Sequence, residues 1–458
     1  MVNYMMIEIA VTVICALLFF IISLLLLKRE NHRICLCVDN VVIIAFVVIF
    51  SFLFPFDYLY SVNNDVSNNS TLLVISSFIA EEIIGYYVVV LIFLIPFLIV
   101  FRLVLRNNDK KIPVFLHKST SSNAILLVAI IMLLIGFITD RLYIKAYGSY
   151  SNYLLESNFI RSGASTFDNK WSFLIPFRGC VYLSCILLFS TLFSKGKYCF
   201  IKILLFLFSF VYSFLILYSN KGRLSIILFL FIFPTLFVIL KFKPKHINIK
   251  IFILAPFVFI VFGFLVVLVG DLVSRSSNQN IFYTIAGESS FLFKNFKLLI
   301  TKTDSYEYRF FSDIVAFPLF LLPSSVWGKY YTYTASDICT ILFSGSVKGT
   351  NGVYGESPCD LISLGFLQLN VIGVFGLGIV FGFLSGIIFS RVRRIEDNNF
   401  RNTILVYLTI YLMVHSIFYC DPYLIVKKMI PGIVLLIVVL ALSFFGVRFK
   451  EREVIQDI

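Results

Sequence analysis

An all-α polytopic membrane protein of about eleven transmembrane helices is the fold class this sequence predicts, and three observations carry it. Of 458 residues, 60% are hydrophobic and only 14% are charged, and mean hydropathy is +0.96. The apolar residues are gathered into long runs separated by short polar, basic punctuation. A helix rising about 1.5 Å per residue needs about 20 such residues to cross a hydrocarbon layer ~30 Å thick. A soluble chain of this length would form about three domains, and no soluble interior takes up so large an apolar fraction. The net charge of +13 does not point to nucleic acid, because the basic residues are spread over many short loops instead of forming one patch.

In order, the spans are expected near 7–27, 40–57, 83–101, 123–139, 172–193, 200–218, 224–240, 249–270, 364–390, 402–419 and 429–447. Lys28, Arg29 and Arg33 follow the first run and no Lys or Arg precedes it, which argues for a retained first span with an outside N-terminus and against a cleavable signal. In that orientation most of the 38 Lys and Arg fall on the cytoplasmic side, in 28–33, 102–118, 195–202, 241–250, 391–401 and 448–452, as the positive-inside rule requires. The chain then divides into 1–270 with helices one to eight, 271–361 as one large external loop, and 362–458 with helices nine to eleven and a cytoplasmic tail. Inside the loop, the apolar run Phe310–Pro323 is short and interrupted by Asp313 and Pro318, so it is expected to be an interfacial or re-entrant helix and not a twelfth span.

Much chemistry is excluded. The cytoplasmic loops leave no room for a nucleotide-binding domain, and neither a G-x-x-x-x-G-K-[ST] loop nor a G-x-G-x-x-G following a strand occurs. An Asp-x-Asp metal motif of the kind nucleotide-sugar transferases use is missing. The nine cysteines have no metal-like spacing beyond Cys35-x-Cys37, so structural zinc or haem is not expected. The central turns of the spans hold almost no ionisable residues, which disfavours an ion-coupled transporter. Glu81 and Glu82 read as carboxylates at the outer interface before the third span.

Polar residues concentrate at the outer ends of the spans. Arg178 lies about 10 Å below the outer boundary of the fifth span at about 1.5 Å per residue, and arginines at such depth are costly and usually functional. Arg223 opens the seventh span after the turn Asn220-Lys221-Gly222, and His415 lies just below the outer end of the tenth, before Asp421-Pro422. Arginine presents a planar fork of donors suited to phosphate oxygens, so this level fits a lipid diphosphate; headgroup anchoring is the plainer alternative for both arginines. The external loop adds carboxylates, among them Asp304, Glu307, Asp313, Glu356 and Asp360, and aromatics such as Tyr306, Tyr308, Trp327 and Tyr354. They suit a sugar-binding surface or the core and interface of a folded cap. Three glycines and Pro358 shape a tight loop over 348–360 that brings Glu356 and Asp360 next to the ninth helix. In that helix Gly378-x-x-x-Gly382-x-x-x-Gly386 is expected to allow close helix packing.

Taken together, the late external loop, the basic turn 220–225, and Gly352-Val-Tyr-Gly-Glu-Ser-Pro-Cys-Asp360 leading into a glycine-rich helix resemble the bacterial O-antigen polymerases, the Wzy-type oligosaccharide repeat-unit polymerases. The resemblance spans essentially the whole chain and is architectural first. It implies a GT-C-like fold and a glycosyltransferase of the cell inner membrane, joining undecaprenyl-diphosphate-linked glycans into O-antigen polysaccharide at the periplasmic face. No nucleotide, metal or cofactor is implied; membrane lipids and a chain-length regulator protein are the implied partners. None of the loop arginines follows the fixed Arg-to-Gly spacing that some members carry.

On this reading Arg178 and Arg223 are the expected diphosphate ligands, with Arg161 and Arg309 as secondary candidates, and Glu356, Asp360 and His415 are candidates for the base or for acceptor positioning. Two other functions remain open. An O-antigen ligase needs a similar constellation and differs only in its acceptor, and a lipid-linked oligosaccharide flippase or exporter makes no bond. An acyltransferase is the remotest, since His415 lacks an H-x4-D partner. Cys339 and Cys359 share the external loop and are expected to pair in an oxidising compartment, with Cys420 as a competitor.

Overall fold

The structure is a computed structural model that describes residues 2–30, 33–35, 37–108, 122–165, 169–193, 199–220, 223–242, 246–247, 281–322, 326, 328, 331–395 and 397–444. The eighth expected span, 249–270, lies outside these residues, as do Arg275, Trp327 and the tail 445–458. Ten helices among the described residues are long and apolar enough to cross a membrane, and each coincides with an expected span. We label the elements α1 Val2–Leu26, α2 Val38–Asn63, α3 Ser70–Ser76, α4 Ala80–Asn108, α5 Ser122–Lys145, α6 Tyr150–Ser162, α7 Ser172–Thr191, α8 Cys199–Ser219 and α9 Arg223–Phe242, then α10 Ile281–Ser289, α11 Phe291–Thr301, α12 Ser312–Val315, α13 Ala335–Ser344, α14 Leu361–Val392, α15 Asn398–Phe418 and α16 Pro422–Phe444. Side chains such as Leu25, Ile99, Leu134, Val211 and Ile437 stay exposed on the spans, a surface suited to lipid and not to water. Among the described residues the strands are those of a small antiparallel sheet of Arg29–Glu30, Arg33–Cys35 and His246–Ile247.

The chain forms two compact units. The first comprises Met1–Val104, Pro244–Gly386 and Met413–Ile425; the second comprises Leu105–Lys243, Ile387–Leu412 and Val426–Ile458.

In the first unit, α4 and α14 meet backbone to backbone along the glycine stripe. A Cβ at Gly378 would lie 2.6 Å from the Phe93 carbonyl oxygen, one at Gly382 2.7 Å from that of Phe97, and one at Gly386 2.8 Å from Val104 Cβ, which is the close approach small residues permit between membrane helices. Phe381 packs beside the stripe at 5.9 Å from Phe97, and elsewhere in the unit Phe54 lies edge-on to Phe293 at 4.9 Å and Tyr86 against Phe296 at 4.3 Å. Arg102 of α4 donates from Nε to Asp39 of α2 at 2.8 Å and from Nη2 to the Leu26 carbonyl, so a buried carboxylate in a span has its counter-ion. Glu82, expected as an interfacial carboxylate, pairs with Lys297 of α11.

The ninth expected span is not one helix. Leu369 is extended (φ −163°, ψ 49°) and Asn370 has φ 55°, ψ −142°, a positive-φ backbone outside the left-handed helical well that residues other than glycine rarely adopt. Residues 361–368 fold back so sharply that a Cβ at Gly365 would lie 2.7 Å from Val374 Cα, whereas nine residues of straight helix would separate the pair by about 13 Å. Only Gln368 and Asn370 interrupt the apolar run at the break, too few to lower the hydropathy of the whole segment, which is why the sequence reads as one span. The run Phe310–Pro323 also departs from a continuous helix. It forms α12 and a 3₁₀ turn, Phe317–Leu321, after two residues with positive φ, Phe310 at 47° and Phe311 at 63°.

In the second unit α5 and α7 pack closely. A Cβ at Gly136 would lie 2.7 Å from the Val181 nitrogen, and Ser184 donates to the Ala129 carbonyl at 2.6 Å.

Candidate functional site

The break in α14 organises a polar cluster in the first unit. A helix that stops leaves its last carbonyls without intrahelical donors; here the Leu367 and Gln368 oxygens accept from the amides of Arg309 and Phe310 at 3.0 and 2.9 Å. These bonds fix Arg309 beside the break. Its Nε donates to Asp313 at 2.7 Å, its Nη2 to the Tyr333 carbonyl at 3.0 Å, and its guanidinium lies 4.7 Å from the centre of the Tyr331 ring. Three of its five N–H hydrogens take no partner among the described residues. Asp313 also accepts from Gln368 Nε2 at 2.7 Å. Burial pushes the Asp313 carboxyl above the usual range against the pull of Arg309 and Gln368, and the nearby charge of Asp421 adds to the rise.

Asp360 stands immediately before α14 and is 2% exposed. Its Oδ1 accepts from the amides of Ile362 and Ser363, both at 3.0 Å. Its Oδ2 is buried without a partner among the described residues. Burial pushes this carboxyl up to about 6 against the opposing pull of the Ser363 hydroxyl and the nearby amides. Asp421 accepts from the amides of Ser336 and Tyr423, each at 2.9 Å, and the Cys420 amide donates to the Cys359 carbonyl at 2.7 Å. Asp313, Asp360 and Asp421 thus lie within one polar region fed by α12, α13, the start of α14 and the turn before α16. No group of three or more potential metal ligands occurs among the described residues.

The other first-unit candidates sit around this region. Glu356 is exposed, and its charge reaches Tyr423, as does that of Asp421. His415 is buried and stacks on Tyr419 at 5.1 Å, directly after a π-helical turn, Thr409–Val414. Such turns recur at functional sites. Cys339 and Cys359 are both buried and free, and their thiols are hydrogen-bonded neighbours. Lys294 Nζ is buried 3.5 Å from the centre of the Phe343 ring, and burial lowers this amine to about 8.

The remaining candidates belong to the second unit. Arg178, only 2% exposed, donates from Nε to Asp140 at 2.6 Å, from Nη1 to Tyr153 Oη at 3.0 Å and Asn220 Oδ1 at 3.3 Å, and from Nη2 to Ser219 Oγ at 3.4 Å. The ring of Tyr143 lies 4.8 Å from its guanidinium carbon, and Tyr212 donates to the second Asp140 oxygen. Four of the five N–H hydrogens are therefore committed internally, and the diphosphate role expected of Arg178 would require exchanging those partners. Arg161 is exposed in the last turn of α6. Arg223 opens α9 as expected, but its side chain lies outside the described residues. Sequence reasoning missed Asp140 and Gln368. A signal for Asp140 was present: one acid at the edge of an apolar run and one arginine buried in the next span call for each other.

These features define a polytopic, predominantly helical membrane protein with one polar cluster at a broken helix and another at an intramembrane ion pair. Compared with known protein families, with curated proteins and with solved structures, the chain matches none.

Proposed function

We propose that the chain is a membrane glycosyltransferase of the O-antigen polymerase type, working in a bacterial inner membrane on undecaprenyl-diphosphate-linked oligosaccharides. The observation that carries the reading is Asp360: a buried carboxyl immediately before α14, with one oxygen held by two amides and the other without a hydrogen-bond partner among the described residues. A carboxyl raised toward neutrality is suited to taking a proton from an incoming sugar hydroxyl. In the step we assign, the acceptor oxygen bonds to the anomeric carbon of the donor, the bond from that carbon to the diphosphate breaks, the proton passes to Asp360, and the lipid diphosphate leaves with the charge. Arg309 receives the diphosphate role here, because its fork is oriented by Asp313 and keeps donors that take no partner among the described residues. Glu356 and His415 position the acceptor.

The test is lipopolysaccharide electrophoresis of a deletion strain complemented with wild type, Asp360→Asn or Arg309→Lys at matched membrane abundance. A ladder collapsed to one repeat unit on the core in both variants supports the polymerase. Normal ladders from both overturn the residue roles, and a deletion strain lacking even the single unit identifies a ligase.

A further inference from the structure

Apart from the groups of the polar cluster, the first unit holds a carboxyl that the proposed reaction does not use. Asp57 lies in α2 and is fully buried. Its two oxygens are 2.9 and 2.7 Å from Ser289 Oγ of α10, and the same Oγ is 2.8 Å from the Ile285 carbonyl oxygen. A serine hydroxyl has one hydrogen. If Asp57 were ionised, three acceptors would share that hydrogen, and oxygens would face each other inside an apolar unit at considerable cost. With a proton on Asp57 the count closes: the carboxyl O–H donates to Ser289 Oγ, and the Ser289 hydroxyl donates to the Ile285 carbonyl one turn back.

No cation compensates for Asp57 among the described residues. Of the elements packed against this end of α2, α3 has no titratable side chain. The described acid of α1, Glu8, bears on Tyr58 and not on Asp57, and Tyr283 of α10 bears on Tyr60. The π-helical turn Val48–Leu53 within α2 is apolar apart from Ser51.

We propose that Asp57 is a proton-binding site: the folded chain carries it as a neutral carboxylic acid whose O–H latches α2 to α10, the first described helix of the non-spanning stretch. Proton binding and the seating of α10 are then one equilibrium, since loss of the proton turns the link into a contact between a carboxylate and an already committed hydroxyl.

Infrared difference spectroscopy of the full chain in lipid nanodiscs at pH 7, wild type minus Asp57→Asn, tests this directly. The expected result is a neutral carboxylic acid carbonyl band, shifted in heavy water, in wild type alone. Carboxylate bands in its place overturn the proposal. So does failure of Asp57→Asn to reach wild-type abundance, because a neutral amide donating from Nδ2 to Ser289 Oγ should seat as the acid does.

Discussion

The ring of Phe311 occupies the space that a side chain at position 376 would need: a Cβ on Gly376 would lie 2.7 Å from Phe311 Cζ. Phe311 and Phe310 both hold positive φ, an unfavourable backbone for bulky residues that persists only where surroundings hold it. The ring seated on Gly376 is one such hold, and it steadies the chain beside Arg309. Gly376→Ala should therefore destabilise by about 1–3 kcal/mol through overpacking. Gly85→Ala, in α4 with nothing within 4 Å of its Cβ, should be neutral or stabilising by up to about 1 kcal/mol. Thermal unfolding of the purified proteins in detergent checks both, and equal effects would refute the packing argument.

Asp360 gives a pH-dependent expectation. Its folded value, about 6, lies above the ordinary carboxylate range, so the native state holds this proton more tightly than the unfolded chain. The contribution to stability is greatest below about 4, declines as pH rises toward about 6, and is flat above. Asp360→Asn should abolish that slope and be more stable than wild type at pH 7 by up to about 3 kcal/mol, while losing polymer. A variant less stable than wild type at pH 7 contradicts the assignment.

The Arg178–Asp140 pair calls for a double-mutant cycle. Removing one member strands a buried charge, which costs about 3–5 kcal/mol, so Arg178→Met and Asp140→Leu should each sharply reduce membrane abundance. The double variant should recover a large part of the loss. Additive losses would mean the two residues do not act as a pair.

Cys339 and Cys359 are placed to join when the loop meets an oxidant. Closing a loop of about 20 residues contributes roughly 3 kcal/mol through chain entropy. Mass-tag labelling of unreduced protein should leave both thiols unmodified, and Cys420, whose thiol is buried, should react only after unfolding. Labelling of Cys339 and Cys359 in unfolded, unreduced protein would show that they remain thiols.

Hydropathy made the ten described spans legible because each is a continuous apolar run, and the glycine stripe of α14 announced its close neighbour through spacing alone. The helix break at Leu369–Asn370 was not legible, since Gln368 and Asn370 are two isolated polar residues in a long apolar run and the break rests on backbone contacts with Arg309 and Phe310 from elsewhere in the chain. Arg178 was visible as an intramembrane arginine, but its partner is 38 residues away in another helix. Asp360 and Arg309 could be named as residue types, whereas Gln368, which turns Asp313 into a shared acceptor, reads from sequence as an ordinary helix residue.

The amides of Arg309 and Phe310 satisfy the two carbonyls that the break in α14 leaves open. Pulling this stretch away would strand two donors and two acceptors at once. The stretch and the span therefore travel as a single mechanical part.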